Sequence, residues 1–450
     1  MIADELYSRL LSIDNLRKAC QEAYLYRSQT KAYVSPLELI YYEEDKIVSN
    51  VFNRLILHFE ANPSIAYYVP RNHYLGRMYT YIEFEDLVVW FAIVRIIVIE
   101  NPMVLSLDSQ GGLKIKDFWA REITNAPLIN LFNDEADEYD PEYDIIIQTD
   151  ISAFYHSISR TTILNILCDH LKVALDCKFI QLISKLLNSP VIDARNGENI
   201  LITRGLPLGN FIDDYLAQMY LKGIEQRIKA ICSSISHVEH IIDNFTVCVK
   251  LKNHDTNILE LTQKIIYDIG IEFVKLGLTL NHYKTTVATK ESYRSVEFDG
   301  SWFPHVIDIL VGNKDLCTKF LKVRNITSLP DKITSESDVK NMIIMFSHGA
   351  YIGSNGTELI LEALLKFPTE IFVHFLIDLL SEHKALEVFT EKGVSDFVIS
   401  VILKKYLLKE QDGKLVFNNN TVVVKKMLQL NRENYMIEQY FKMLNIEISK

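Results

Sequence analysis

The interpretation of the whole chain turns on QTDISAFYHSI, residues 148–158. Ile145, Ile146 and Ile147 precede it, so an apolar run leads straight to a carboxylate. A continuous apolar run of this length predicts a buried β-strand over residues 144–151, with Asp150 at its end. The turn that follows carries Phe154 and Tyr155, and such a turn can aim the carboxylate into a cleft. Taken alone, a strand-end Asp is better read as a cap on the next helix.

Two further stretches change that balance. In VEHIIDNFTVCV, residues 238–249, two β-rich runs flank Asp243-Asn244. Asp or Asn at a hairpin turn tolerates the positive φ that tight turns require. An Asp on such a tip facing a strand-end Asp is a way to hold two divalent ions for phosphoryl transfer. In RGLPLGNFIDDYLAQMYL, residues 204–221, Gly205, Pro207 and Gly209 form a loop whose backbone can approach a ligand closely. Asn210 is placed to cap a helix with Phe211, Ile212, Tyr215, Leu216, Met219 and Tyr220 on its apolar face. The adjacent Asp213 and Asp214 fall in the first turn of that helix, where acids suit the dipole, and are not taken as a catalytic pair.

Around these stretches the chain reads as a globular protein of 450 residues, 48% hydrophobic and 23% charged, long enough for two or three domains. The net charge of −11 weighs against a nucleic-acid binder, but its distribution weakens the objection. Residues 1–150 hold 24 acidic and 13 basic side chains, so the remainder is neutral. Seven of those acids lie in residues 134–144, which reads as a solvated loop. Six cysteines show no zinc spacing, and the twelve histidines, His156 and His240 among them, read as surface or packing residues. The most apolar run, residues 87–98, is too short to span a bilayer and contains Arg95. With no N-terminal signal pattern, a cytoplasmic, reduced protein without membrane contact is expected.

Periodicity predicts helices before residue 65, strands over 66–82 with Tyr67, Tyr68, Tyr79 and Tyr81 packed in the sheet or core, and a buried helix over 85–100. A loop is expected at Gly111-Gly112. Helix is expected over 161–187, extended chain over 190–203, helix again over 209–231, and a two-strand hairpin over 238–251. Residues 359–366, 371–380 and 423–443 have helical periodicity, and residues 328–337, with Pro330, read as a linker.

In this order the segments resemble the reverse transcriptase family. Residues 148–158 look like its motif A, residues 204–221 like motif B, and the Asp243 hairpin like motif C. LGLTLNHYKT, residues 276–285, resembles motif D, and VEFDGSWF, residues 296–303, motif E more loosely. Upstream, Arg71, Arg77 and Asp86 reproduce the spacing of the fingers motifs. The resemblance covers roughly residues 65–305. It implies an α+β fold with a right-hand polymerase palm and fingers over 66–315, a helical N-terminal region over 1–65, and an all-helical C-terminal domain over 316–450.

By the same resemblance, Asp150, Ile151 and Asp243 would hold Mg²⁺, with Mn²⁺ as a substitute. Asn244 would stand in the catalytic set where the family has a second Asp. Lys284 would lie near the departing pyrophosphate, and Arg71 and Arg77 would clamp the triphosphate. Tyr155 would exclude a ribose 2′-hydroxyl, and Leu208 and Gly209 would face the incoming nucleotide. The departures are Ile241-Ile242-Asp243-Asn244 for tyrosine-x-Asp-Asp, Leu208 for glutamine, and Asp213-Asp214 for Ser-Pro. A divergent palm followed by helices looks like the bacterial abortive-infection and defence-associated reverse transcriptases. The expected activity is that of an RNA-directed DNA polymerase or DNA nucleotidyltransferase in antiphage defence. It would use dNTPs and make DNA without a template, from a protein primer, or beside a non-coding RNA or companion reverse transcriptase, as a homo-oligomer. The alternative is a degenerate palm that binds RNA or assembles a partner polymerase.

Overall fold

The computed structural model describes residues 2–29, 42–70, 76–100, 113–115, 121–123, 143–202, 204–207, 211–251, 257–289, 318, 321–322, 325–350, 352–388, 394–411 and 414–417. Arg71, Leu208, Gly209 and Asn210 lie outside the described residues, as do Gly111-Gly112, most of the acidic run, residues 296–303 and residues 423–443.

Among the described residues three helices open the chain: α1 (Ile2–Leu10), α2 (Ile13–Gln29) and α3 (Glu44–Leu57). Their apolar residues recur at three- and four-residue spacing, and Leu6, Leu10, Leu16, Ala23, Val51 and Leu55 are buried. They pack around α4 (Phe84–Glu100), which is buried on nearly every side. Arg95, in its C-terminal half, is tied to Glu22 of α2. Among the described residues no helix is long and apolar enough to cross a membrane.

Asp86, in the first turn of α4, serves this scaffold. Arg54 Nη2 lies 2.6 Å from its Oδ1, and the Asn62 backbone N–H donates to its Oδ2 at 2.6 Å. Burial pushes the Asp86 carboxyl up, and Arg54 opposes the shift. Removing one partner of a buried pair leaves an uncompensated charge. Arg54→Ala is therefore expected to lower stability by about 3 kcal/mol in urea denaturation. The folded variant would bind a proton at Asp86 more readily than the unfolded chain, so the loss should shrink as pH falls. An equal loss at every pH would refute this account.

β1 (Ser64–Pro70) and β2 (Gly76–Tyr81) form an antiparallel hairpin. After two short strands, β3 (Leu113–Ile115) and β4 (Arg121–Ile123), comes β5 (Ile145–Asp150), where the apolar run predicts it. A single turn α5 (Phe154–Ser157) leads to α6 (Arg160–Leu171) and α7 (Lys178–Leu187). The helix expected over 161–187 is thus two, broken after Lys172, which takes φ 54°. Next come β6 (Val191–Asp193), β7 (Asn199–Ile200), α8 (Phe211–Leu221) and α9 (Ile224–Ile231). The last two replace one expected helix, because Gly223 turns left-handed at φ 77°. Then follow β8 (Ile235–Ile241), β9 (Asn244–Val249), α10 (Ile258–Lys275) and β10 (Thr286–Thr289).

Among the described residues two four-stranded sheets result. One runs β2-β1-β6-β7, with β1 parallel to β6. The other runs β10-β5-β9-β8 and is antiparallel throughout. The first core joins α1–α4, the β5 sheet and helices α6–α10.

The C-terminal region contains α11 (Glu336–Ser347), α12 (Ser354–Lys366), α13 (Glu370–Leu379), α14 (Glu382–Val388) and α15 (Asp396–Leu407). It is not all-helical as expected: β11 (Leu408–Gln411) and β12 (Lys414–Phe417) pair antiparallel. Asp412-Gly413 between them is a hairpin signal that helical periodicity does not register. These helices build a second core with Tyr67, Val69, Tyr79 and Tyr81 from one face of β1–β2. Tyr67 meets Tyr79 edge-on at 6.0 Å, whereas Tyr68 is exposed on the other face. Ile333, in the stretch expected to be a linker, is fully buried in this core.

Candidate active site

Asp150 stands at the end of β5, buried, directly opposite Asn244 on β9. The hairpin that carries Asp243 closes on the pair Ile241–Asn244. Its two-residue turn is therefore Ile242-Asp243, one residue earlier than the expected Asp243-Asn244, and Asn244 already belongs to the ladder. The positive φ of the turn falls on Ile242, at 58°. A β-branched residue there is strained by about 1–3 kcal/mol, and such strain persists only where its surroundings enforce it. One enforcing contact is the Ile151 N–H, which donates to the Asp243 carbonyl at 3.0 Å.

This places Asp243 beside Asp150. Burial and the Asp150 charge push the Asp243 carboxyl up, while Arg77 and Lys284 oppose the shift. Arg77, on β2, also disfavours protonation of His156, whose imidazole is held low first by burial. Arg77 is thus close enough to influence both the turn and α5. Lys284 lies on Asp150 itself, its Nζ 2.5 Å from Oδ2, with its side chain half exposed. Asn281 Nδ2 donates to the other oxygen, Oδ1, at 2.8 Å.

Residues 279–281 extend the β5 edge: the Ser152 N–H donates to the Thr279 carbonyl and the Asn281 N–H to the Asp150 carbonyl. The chain then turns through residues 282–285 before β10 pairs with β5 at Thr286–Gln148. That excursion is what sets Asn281 and Lys284 over the carboxylate. The hydroxyls of Thr149 and Thr285 lie 2.8 Å apart beneath it.

Tyr155, on α5, is half-buried, packs against Phe154 and touches both cores. The loop 204–207 is fastened to α5: the Gly205 N–H donates to the Ile158 carbonyl and the Leu206 N–H to the Tyr155 carbonyl. Arg160 binds the same loop, donating from Nε to the Gly205 carbonyl and from Nη1 to the Ile202 carbonyl. A pocket beside this loop is lined by Ser64, Thr80, Asp86, His156, Arg160 and Arg204, and neither Asp150 nor Asp243 lines it. Asp213 is buried in the first turn of α8. His240 is a packing residue, stacked on Phe245, with Nδ1 2.7 Å from Glu225.

The structure therefore brings Asp150, Ile151, Asp243, Asn244 and Lys284 together, with Arg77 near enough to exert its charge. Asn281, Arg160 and the Thr149–Thr285 pair are contributors to which the sequence assigns no role, although Asn281 and Thr285 belong to the stretch 276–285 that resembles motif D. Their signals were present: Asn281 and Thr285 lie three residues before and one after Lys284, one turn of chain apart. Asp150, Asp243 and the Ile151 carbonyl offer oxygen donors, which suit a hard cation such as Mg²⁺. Among the described residues no group of three or more His, Cys, Asp or Glu side chains gathers to hold a metal. Neither a scan against protein-family models nor a search of the curated proteins gives a match for this chain.

Proposed function

We propose that this chain is a DNA polymerase of the reverse-transcriptase kind that transfers nucleotides from dNTPs at Asp150 and Asp243 and acts in bacterial antiphage defence. The observation that carries the chemistry is the meeting of Asp150, Asp243 and Lys284, distant in sequence, at one end of one sheet. The defence role rests on the sequence resemblance.

Mg²⁺ held by Asp150, Asp243 and the Ile151 carbonyl would acidify a primer hydroxyl and offset phosphate charge. Asp150 and Asp243 concentrate negative charge, which the cation would relieve. Lys284 has a half-exposed ammonium that can move from Asp150 to a phosphate oxygen. Arg77 would bring a guanidinium to the triphosphate. Tyr155, fixed between two cores, would present a rigid wall to the sugar.

The test is incorporation of each labelled dNTP and rNTP by the purified chain with Mg²⁺ or Mn²⁺, without template and then with primer–template or co-purified RNA. Incorporation of dNTPs alone is expected, and the template-free arm reports whether copying is needed. Ready incorporation of rNTPs would point to an RNA polymerase instead. Silence in every arm would favour a scaffold for RNA or a partner polymerase. That second reading draws on Lys284 neutralising Asp150 and on Asn244 offering no charge.

A further inference from the structure

We infer that Asn281 is a positioning residue for Asp150, deciding which carboxylate oxygen is available to a divalent cation. The inference deepens the polymerase reading and rests on it. Asn281 grips Asp150 at two points: its backbone N–H donates to the Asp150 carbonyl at 2.7 Å, and its side-chain amide donates to Oδ1 at 2.8 Å. The first bond fixes the strand end and the second fixes the rotation of the carboxyl group. Together they leave Oδ2 to the cation site, where Lys284 now stands at 2.5 Å.

Asn281 is itself braced. Its carbonyl accepts from the Thr285 hydroxyl at 2.8 Å and from the Lys284 N–H at 3.1 Å. The Thr285 hydroxyl in turn meets that of Thr149, the residue before Asp150. The turn 281–285 is thus closed onto β5 from both ends, with the amide held over the carboxylate. A partner that orients a metal-binding group without touching the metal typically changes metal affinity by about 10- to 100-fold.

Mn²⁺ serves as the probe, titrated into the purified full chain to millimolar concentration and followed by paramagnetic resonance. Asn281→Ala is expected to weaken Mn²⁺ binding about 10- to 100-fold with the melting temperature nearly kept. Thr285→Val should weaken it in the same direction, and Thr285→Ser, which restores the hydroxyl, should recover it. A folded Asn281→Ala protein that binds Mn²⁺ like wild type would overturn this inference alone, making Asn281 a turn residue only. If Asn281→Ala fails to fold, equal binding by the Thr285→Val and Thr285→Ser proteins would overturn it. Wild type that binds no Mn²⁺, indistinguishable from Asp150→Asn, would overturn both the inference and the polymerase reading.

Discussion

Asp150→Ala is expected to reduce dNTP incorporation by about 10³-fold or more while the protein remains folded. A thousandfold corresponds to about 4 kcal/mol of transition-state stabilisation, the share of one of the two carboxylates proposed to hold a catalytic cation. The fold should tolerate the change because the charge left behind is not trapped. Lys284 keeps half its side chain in solvent and can return to water. Asn281 loses one acceptor, at a cost of about 1 kcal/mol. Against that, the Asp150 charge that burdens half-buried Asp243 disappears. The melting temperature should therefore stay close to wild type. Wild-type incorporation by the folded variant would move the chemistry elsewhere in the chain.

Gly205→Ala is expected to have the largest effect on stability, about 3 kcal/mol or more. Gly205 has φ +84°, where an L side chain is strained. An added Cβ would sit 2.8 Å from His156 Cα and 2.9 Å from the Tyr155 carbonyl oxygen. Both obstacles are backbone, and that carbonyl already accepts from the Leu206 N–H, so neither can step aside freely. Backbone strain and overpacking each contribute about 1–3 kcal/mol. An unfolding free energy within about 1 kcal/mol of wild type would show that the loop relaxes. Because the same loop braces α5, activity should fall with stability.

Legibility in the sequence followed the strength of each local signal. The three isoleucines before Asp150 and the β-branched runs around Asp243 specified strands, and the pairing of β5 with β9 follows. The apolar spacing of α1, α2 and α3 was equally plain. What the residues alone did not show was where two helices break, because Lys172 adopts a left-handed conformation that its side chain does not advertise. The turn register was also hidden. Propensity favours Asp243-Asn244 at the tip, yet pairing across the sheet places strained Ile242 there, a tertiary constraint overriding a local preference. Lys284 was visible as a cation near the site, but its partner was not, since it is the pairing along the β5 edge that brings residues 281–285 to Asp150. Asn281 needed that same ladder to acquire meaning.

The tyrosine face of β1–β2 bears on how the two ends of the chain communicate. Tyr67, Val69, Tyr79 and Tyr81 lie against the C-terminal helices, while Arg77, on the same strand β2, exerts its charge on Asp243. Cutting the chain before α11 would therefore bare a greasy sheet surface rather than trim an appendage. A load applied to those helices, by a bound protein or a neighbouring copy, would pass along one stiff strand to the guanidinium. On the proposed function, the C-terminal region would be a handle on the site at Asp150 and Asp243, and displacing it would tune synthesis from a distance.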